Sequence, residues 1–217
     1  MGQYYRALII KEKTLRKTNK YGIMDSPNCK AISMNPFDYN NTYKLMEWSY
    51  IGNEFLDTVL SQLKRPLHDK RKRLLAFVGD YSEFEEHMTI PDELNDYRYE
   101  IRDAHDAVWN RYGEKAMREK SLERTLDLHR DVRKWYAIDR TGMEFVKLFD
   151  LPNALKDWDG KINPVGILCA TSNGMGGGDY YGVNADMAGR WAFHDIVVTY
   201  VEPSSDYKEI KPDFKEE

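Results

Sequence analysis

The chain contains little cysteine, with only Cys29 and Cys169 among its 217 residues. A disulfide-rich scaffold needs several pairs of cysteines, so that class of protein is excluded. The two cysteines lie far apart in the sequence, and their spacing does not fit a structural zinc site. We expect two reduced thiols, and a single disulfide between them stays open.

The sequence also lacks long hydrophobic runs. No stretch of about 18 apolar residues occurs, so the sequence predicts no transmembrane helix. The opening segment, MGQYYRALIIKEK, does not fit a signal peptide, because its apolar core spans only about five residues and no small-residue cleavage site follows. Arg6 stands where a myristoylation signal has serine or threonine. We therefore expect a cytoplasmic protein that does not bind membranes.

Excess positive charge is missing as well, since the formal net charge is −4. A protein that coats nucleic acid needs a basic surface, so nucleic acid is not the expected partner. The exception is a basic run at residues 70–73, KRKR, which could contact phosphates. A solvated connection leading into a strand is the more common role of such a run, and both interpretations stay open.

Several well-known chemical motifs are absent from the sequence. The dinucleotide-binding pattern Gly-x-Gly-x-x-Gly would fit Gly174 and Gly176, but its third glycine position is occupied by Asp179. Neither the P-loop nor the Gly-x-Ser-x-Gly motif of hydrolases occurs. The histidines show no metal-ligand spacing, so we expect no metal site and no cofactor. They are His68, His87, His105, His129 and His194.

Local patterns predict a single α+β domain at residues 1–203, with helices packed on a mixed but mainly antiparallel sheet, followed by a polar C-terminal tail at 204–217. Hydrophobic residues form 41% of the chain, which is enough for a core. Strands are predicted at 4–11, near 31–34, and at 74–79, 134–139, 143–149, 165–171 and 196–201. Helical segments are predicted at 43–50, 53–64 and 101–133, with a hairpin turn at 140–142 and loops at 12–42 and 81–100.

A glycine-rich segment, NGMGGGDYYG, follows the apolar run VGILCAT. Clustered glycines mark either a demanding turn or a close approach of the backbone to a ligand. Asp80 also directly follows an apolar strand, so neighbouring strands would bring the two exits together. The predicted ligand-binding residues are Asp80, Gly176, Gly177, Gly178, Asp179, Tyr180, Tyr181, Trp191 and His194.

Two polar residues near the glycine-rich segment bear on catalysis. His194 and Asp195 are adjacent, so their side chains point to opposite faces of a strand and cannot pair with each other. Asp179 is the carboxylate that His194 would meet if the glycine-rich segment folds back. Cys169 lies within the apolar run, where burial raises the pKa of a thiol, so we interpret it as a packing residue.

Several segments together resemble a group of uncharacterised bacterial and bacteriophage proteins. They are MGQYYRA, KLMEWSYIGNEF, FVGDYSE, WYAIDRTGMEFV, NGMGGGDYYG and GRWA. The resemblance spans residues 1 to about 196 and implies a shared fold and a bacterial or phage origin, but it supplies no activity. The group often has arginine where this chain has Met175, and aspartate where it has His194. The positions at which this chain matches the group are Asn53, Gly79, Asp80, Gly176, Gly177, Gly178, Asp179, Tyr180 and Trp191.

The leading functional hypothesis is a non-catalytic binding protein for a small polar ligand or a host protein. Carboxylates beside tyrosines suit hydroxyls, amines or base edges better than phosphate. The alternative is an enzyme of unrecognised type, in which Asp80 or Asp179 is the general base and His194 assists. A purely structural or oligomeric role is the third hypothesis, and an exposed aromatic patch without a cleft would favour it.

Overall fold

The fold was analysed in a computed structural model, which describes residues 3–11, 32–39, 44–79, 135–151, 153–155, 158–171, 173, 180 and 185–214. Nine strands and three α-helices lie within these residues. The strands are β1 (Tyr5–Lys11), β2 (Ile32–Met34), β3 (Arg73–Gly79), β4 (Tyr136–Asp139), β5 (Glu144–Lys147), β6 (Asn153–Leu155), β7 (Trp158–Lys161), β8 (His194–Thr199) and β9 (Lys208–Glu209). The helices are α1 (Leu45–Trp48), α2 (Glu54–Leu63) and α3 (Pro164–Leu168), with 3₁₀ turns at Pro36–Tyr39 and Ala185–Met187.

Seven of these strands form one sheet in the order β2-β1-β3-β8-β4-β5-β9, and β6 pairs with β7 in a separate ribbon. Every pairing in the large sheet is antiparallel except that of β5 with β9. The helices do not connect neighbouring parallel strands, as they would in an α/β protein. The predicted α+β class, with a mainly antiparallel sheet, is therefore confirmed.

One face of the sheet shares its hydrophobic core with the three helices. Alternate residues of the strands, including Ile9, Phe77 and Ile196, point into this core together with Trp48 and Phe55. The Trp48 ring lies 5.2 Å from the Phe55 ring and 4.6 Å from the Phe77 ring, measured between centroids. A smaller cluster forms on the opposite face from Ile138, Phe145 and Val197, with Leu67 packed against it.

Helix α2 forms where the sequence predicts it. The side chain of Asn53 accepts a hydrogen bond from the backbone N–H of Leu56 at 3.2 Å, which caps the first turn. Such a cap stabilises a helix by about 1 kcal/mol relative to alanine. Lys64 is the C-cap of the helix and has an extended conformation, and Arg65 and Pro66 follow it directly. The prediction of a helix at 53–64 is confirmed.

The predicted hairpin is also confirmed, with β4 and β5 paired from Tyr136 opposite Lys147 to Asp139 opposite Glu144. In a hairpin turn, glycine is the residue expected to adopt a positive φ, but Gly142 does not do so here. Met143 has a φ of 55°, so a non-glycine residue adopts the left-handed conformation. The need for Gly142 has another cause, which is the position of the Asp139 carboxylate.

The prediction of a strand at 165–171 is wrong, because residues 164–168 form helix α3. Asn163 caps this helix by accepting a hydrogen bond from Val165 N–H at 3.1 Å, and Pro164 occupies the first helical turn, where its missing N–H costs nothing. A short apolar run buried on all sides has no periodicity that separates helix from strand. After the helix, the run meets the sheet through a parallel bridge between Ala170 and Phe77, in which Phe77 N–H donates to Cys169 O and Thr171 N–H donates to Phe77 O.

The segment predicted to be a polar C-terminal tail needs a correction. Residues 208 and 209 form β9, which pairs with β5, and Ile210 N–H donates to Phe145 O at 2.9 Å. Ile210 and Phe214 are both buried in the main core. Two apolar residues in an otherwise polar segment therefore attach residues 204–214 to the domain.

The predicted helix at 101–133 and the predicted loop at 81–100 lie outside the described residues. So does the predicted loop at 12–42, apart from residues 32–39, which form β2 and a 3₁₀ turn. Among the residues that the structure does describe, no helix is both long enough and apolar enough to cross a bilayer.

We predict that Phe214→Ala lowers the free energy of unfolding by about 3 kcal/mol, because it removes a buried aromatic ring from the core. Val201→Ala is the matched control, since Val201 is 59% exposed, and its effect should stay within about 0.5 kcal/mol. Urea unfolding measures both variants. Equal midpoints for Phe214→Ala and the wild type would show that the C-terminal segment is detached in solution.

Candidate functional site

The candidate site follows from how β4 pairs with β8. Asp139 lies opposite Ile196 in this antiparallel register, and the backbone N–H of Arg140 donates to Asp195 O at 3.0 Å. Side chains alternate between faces along each strand. Asp139 and His194 consequently point to the face that carries the main core, whereas Arg140 and Asp195 point to the other face.

On the core face, His194 and Asp139 form a hydrogen bond. The distance from His194 Nδ1 to Asp139 Oδ2 is 2.7 Å, and the Asp139 side chain is completely buried. The second carboxylate oxygen, Oδ1, accepts from the backbone N–H of Thr141 at 2.8 Å. Because an ionised carboxylate only accepts hydrogen bonds, Nδ1 of His194 is the donor. In the neutral ring the other nitrogen, Nε2, then presents a lone pair.

That second nitrogen belongs to a small set of buried polar atoms without a hydrogen bond in the described structure, which also includes Arg65 Nε, Trp135 Nε1 and Asn163 Nδ2. His194 Nε2 is buried and has no hydrogen-bond partner among the described residues. Leaving such a group unsatisfied costs about 1–3 kcal/mol, and a cost of this size in a folded protein needs an explanation. A buried acceptor whose ring is fixed by a carboxylate is suited to receive a proton or a hydrogen bond from a bound molecule.

Local backbone geometry fixes this pair. Phe193, directly before His194, has a φ of 60°, which is rare for a bulky residue. His194 N–H donates to Trp191 O at 3.0 Å, so the chain makes a tight turn immediately before it enters β8. A side chain at Gly142 would place its Cβ 2.5 Å from Asp139 Oδ2 and 3.8 Å from His194 Nδ1. The absence of a side chain at Gly142 therefore leaves room for the carboxylate.

Asp195, on the other face, is the centre of a buried ion cluster. Its Oδ1 pairs with Arg65 and accepts from Arg73 N–H at 2.8 Å, while its Oδ2 accepts from Arg140 Nε at 2.9 Å and Nη2 at 2.5 Å. Burial lowers the pKa of Arg65, although the adjacent carboxylate opposes this shift. Four hydrogen bonds occupy both oxygens of Asp195, so this carboxylate fixes neighbouring chain segments rather than meeting a ligand.

Trp191, a predicted ligand-binding residue, lies in the core. Its ring is buried in the core, and its indole N–H donates to Glu144 Oε2 at 3.1 Å. Arg190 adds two hydrogen bonds to the same carboxylate at 2.6 and 2.8 Å. The hydrogen bonds from Arg190 lower the pKa of Glu144; burial opposes that shift, and Trp191 reinforces it.

The segments that lead to Asp80 and to the glycine-rich segment lie side by side where they are described, although the second follows a helix rather than a strand. Gly79 N–H donates to Thr171 Oγ1 at 3.2 Å, and Thr171 N–H donates to Phe77 O at 2.8 Å. Asp80 is the next residue after Gly79, and the glycine-rich segment begins shortly after Thr171. The predicted site residues Asp80, Gly176, Gly177, Gly178, Asp179 and Tyr181 themselves lie outside the described residues.

The base of the glycine-rich segment is closed by a side chain. Asn173 Oδ1 accepts from Tyr180 N–H at 2.8 Å, and Asn173 Nδ2 donates to Tyr180 O at 2.6 Å. Since Ser49 Oγ already donates to Leu45 O, it accepts the proton of the Tyr180 hydroxyl at 2.8 Å. Tyr180 is thus buried with its hydroxyl engaged, and it anchors the segment rather than lining a ligand cleft.

Cys169 is chemically inert in this setting. Burial raises the pKa of its thiol well above the ordinary value, and the charge of Asp139 adds to the shift. A neutral buried thiol is a poor nucleophile. The sequence interpretation of Cys169 as a packing residue rests on the same physical cause, although the residue ends a helix rather than belonging to a strand. Within the described part of the chain, no three potential ligand side chains cluster closely enough to hold a metal ion.

Asp139 is the residue that sequence reasoning missed. The predicted carboxylate partner of His194 was Asp179, whereas Nδ1 is bound by Asp139. The sequence did contain a signal for this pair. Two neighbouring polar residues, Asp139 and Arg140, end one strand, and two others, His194 and Asp195, begin another. Matching them requires the pairing of β4 with β8, which the sequence does not state.

Comparisons with known proteins add no identification. No protein family model matches the chain, and no significant match was found among curated proteins or solved structures. The resemblance to bacterial and bacteriophage proteins accordingly stays a prediction.

We predict that Gly142→Ala separates Asp139 from His194, because the added methyl group overlaps the carboxylate oxygen. The free energy of unfolding should fall by about 1–3 kcal/mol, as a buried hydrogen bond is lost. Thr141→Ser is the control, since it changes the neighbouring turn residue but keeps its hydroxyl. Chemical denaturation with wild-type stability for Gly142→Ala would contradict the close packing at this turn.

A pH dependence follows from the Glu144 ion pair. A carboxylate whose pKa is lowered by folding stabilises the protein at neutral pH, and that contribution is lost as the pH falls below the ordinary value of 4.5. The difference in unfolding free energy between wild type and Glu144→Gln should therefore be largest near pH 7 and shrink in acid. A difference that stays constant from pH 7 to pH 3 would show that Glu144 keeps its ordinary pKa.

Proposed function

We propose that this chain is a binding protein for a small polar ligand that donates a hydrogen bond to Nε2 of His194. The observation that supports this most strongly is the buried Nε2 atom without a partner among the described residues. A bound donor would remove the cost of that unsatisfied acceptor. Water alone would also do so, and the experiment below distinguishes the two.

The chemistry of the pair limits the class of ligand. His194 Nδ1 carries the ring proton and donates it to Asp139. Nε2 of the neutral ring therefore acts as an acceptor, and its partner must offer an O–H or N–H group. The negative charge of Asp139 disfavours an anionic group at the same place. Hydroxyls, amines and the N–H edges of nucleobases meet both conditions, whereas free phosphate meets neither well.

The contact between the end of β3 and the segment after α3 is the second observation that supports the proposal. The hydrogen bond from Gly79 to Thr171 brings the positions before Asp80 and before the glycine-rich segment together. In the proposal, Asp80, Asp179 and the backbone of Gly176, Gly177 and Gly178 contribute further polar contacts to the ligand. Tyr180 and Trp191 support the site from within the core and do not touch the ligand.

An acid–base enzyme is the second candidate, and the bond between Asp139 and His194 favours it over a catalytic role for Asp80 or Asp179. A histidine oriented by a buried carboxylate is a common general base. The same group that accepts a ligand hydrogen bond would then remove the proton. The two candidates differ in whether the ligand is consumed.

We predict that some members of a panel of nucleosides, polyols, sugars and amines raise the thermal midpoint of the protein. A ligand at 100 times its dissociation constant adds about 2.7 kcal/mol to the folded state. His194→Asn should abolish this shift, since the asparagine amide can still donate to Asp139 while Nε2 is gone. His68→Asn changes an exposed histidine elsewhere and should keep the shift.

The outcomes separate the hypotheses. If no neutral or cationic donor shifts the wild-type midpoint, Nε2 is satisfied by water and the ligand proposal fails. A shift that persists in His194→Asn places the ligand elsewhere. One-dimensional NMR of the active compound then decides between the candidates, because an enzyme converts it over time and a binding protein leaves it unchanged.

A further inference from the structure

Positive charge is concentrated at the segment that joins α2 to β3. Among the described residues, seven cationic side chains around residues 64–73 pair with only two carboxylates, those of Asp69 and Asp195, in a chain whose net charge is −4. The cations are Lys64, Arg65, Lys70, Arg71, Lys72 and Arg73 of the segment itself and Arg140 of the hairpin. Residues 64–73 are called the basic loop below.

Two guanidinium groups donate hydrogen bonds to backbone carbonyls of the basic loop. Arg140 donates to Leu67 O at 3.1 Å and to Asp69 O at 2.5 Å, and Arg65 donates to Arg71 O. Arg65 and Arg140 are themselves fixed by Asp195. The backbone of the loop is therefore preorganised, so that binding a partner there costs little conformational entropy.

The outward side of the loop presents cations to solvent. Lys70 and Lys72 are exposed and have no ion pair with any other described residue. The Arg71 side chain is 76% exposed, although it pairs with Asp69 at 2.7 Å. Since the inner guanidinium groups fix the backbone and Arg71 is paired with Asp69, Lys70 and Lys72 are the cations of the loop without an ion pair among the described residues, and Arg71 adds an exposed guanidinium between them.

An exposed aromatic ring lies beside the first residue of the basic loop. The Tyr200 ring stacks on the Trp135 ring with 3.7 Å between centroids, and Lys64 Nζ lies 5.2 Å from the Tyr200 centroid. Trp135 is buried, whereas Tyr200 is 47% exposed. The tyrosine ring is thus supported by the core through Trp135, tilted by 34° from it, and is partly exposed beside the Lys64 ammonium.

We propose that the basic loop and Tyr200 form a binding surface for single-stranded nucleic acid. Phosphates would lie on Lys70, Arg71 and Lys72, and a base would stack on Tyr200 beside Lys64. Cationic tracks combined with exposed aromatic rings are how single strands are bound without sequence preference. An acidic protein segment would use the cations but has no need of a stacking ring. The proposal uses none of the residues of the ligand site at His194, and its own variants test it separately. Tyr200 packs on Trp135 of the main core, which is the face to which His194 also points.

The test is fluorescence anisotropy with a labelled oligo-thymidine of roughly 12 nucleotides, a length within the range that such surfaces cover. With three phosphates neutralised, a fourfold rise in salt should weaken binding about 20-fold. Lys70→Gln combined with Lys72→Gln should weaken binding and flatten this salt dependence. Lys208→Gln combined with Lys211→Gln removes the same charge from exposed lysines near the C-terminus and should have little effect.

Stacking is tested separately. Tyr200→Ala should weaken binding by about tenfold or more, whereas Tyr200→Phe keeps the ring and should bind like the wild type. The thermal midpoints of all variants are measured to show that they are folded. The proposal is overturned if the wild type does not bind at low salt, or if the two double variants behave alike. It is also overturned if poly-glutamate of equal length competes as well as the oligonucleotide and Tyr200→Ala has no effect, since the surface then accepts any polyanion.

Discussion

The antiparallel pairing of β4 with β8 is the constraint on which both candidate binding surfaces depend. It aligns Asp139–Arg140 at the end of one strand with His194–Asp195 at the start of the other. Alternation of side chains then produces two buried polar pairs on opposite faces of the sheet. Asp139 fixes the His194 ring towards the core, and Asp195 fixes Arg65 and Arg140 beneath the basic loop.

The same pairing explains why buried charge is tolerated here. Buried ion pairs add little net stability, because desolvation offsets their attraction, but a buried charge left without its partner costs several kcal/mol. A slip of one residue between β4 and β8 would turn every side chain to the other face and separate both pairs. The register is therefore strongly specified, and the positive φ of Phe193 is maintained by the surrounding hydrogen bonds.

Local signals in the sequence were sufficient for much of the fold. Asn53 as a helix cap, the β4–β5 hairpin and the opposite orientations of His194 and Asp195 all depend on neighbours in the chain, and they could be predicted. The run at 165–171 could not, because a short segment buried on all sides shows no period. The C-terminal segment was misjudged since Ile210 and Phe214 are isolated apolar residues whose burial depends on distant strands. Asp139 was missed for a similar reason, as its partner lies 55 residues away in the sequence.

The most direct test of this account is the tautomer of His194, measured by long-range ¹H–¹⁵N correlation NMR on ligand-free protein at neutral pH. We expect Nδ1 to carry the proton and Nε2 to show the chemical shift of an unprotonated ring nitrogen, with His194→Asn identifying the signals. A proton on Nε2, with Nδ1 bare, would mean that Asp139 does not orient the ring, and the proposed acceptor would not exist.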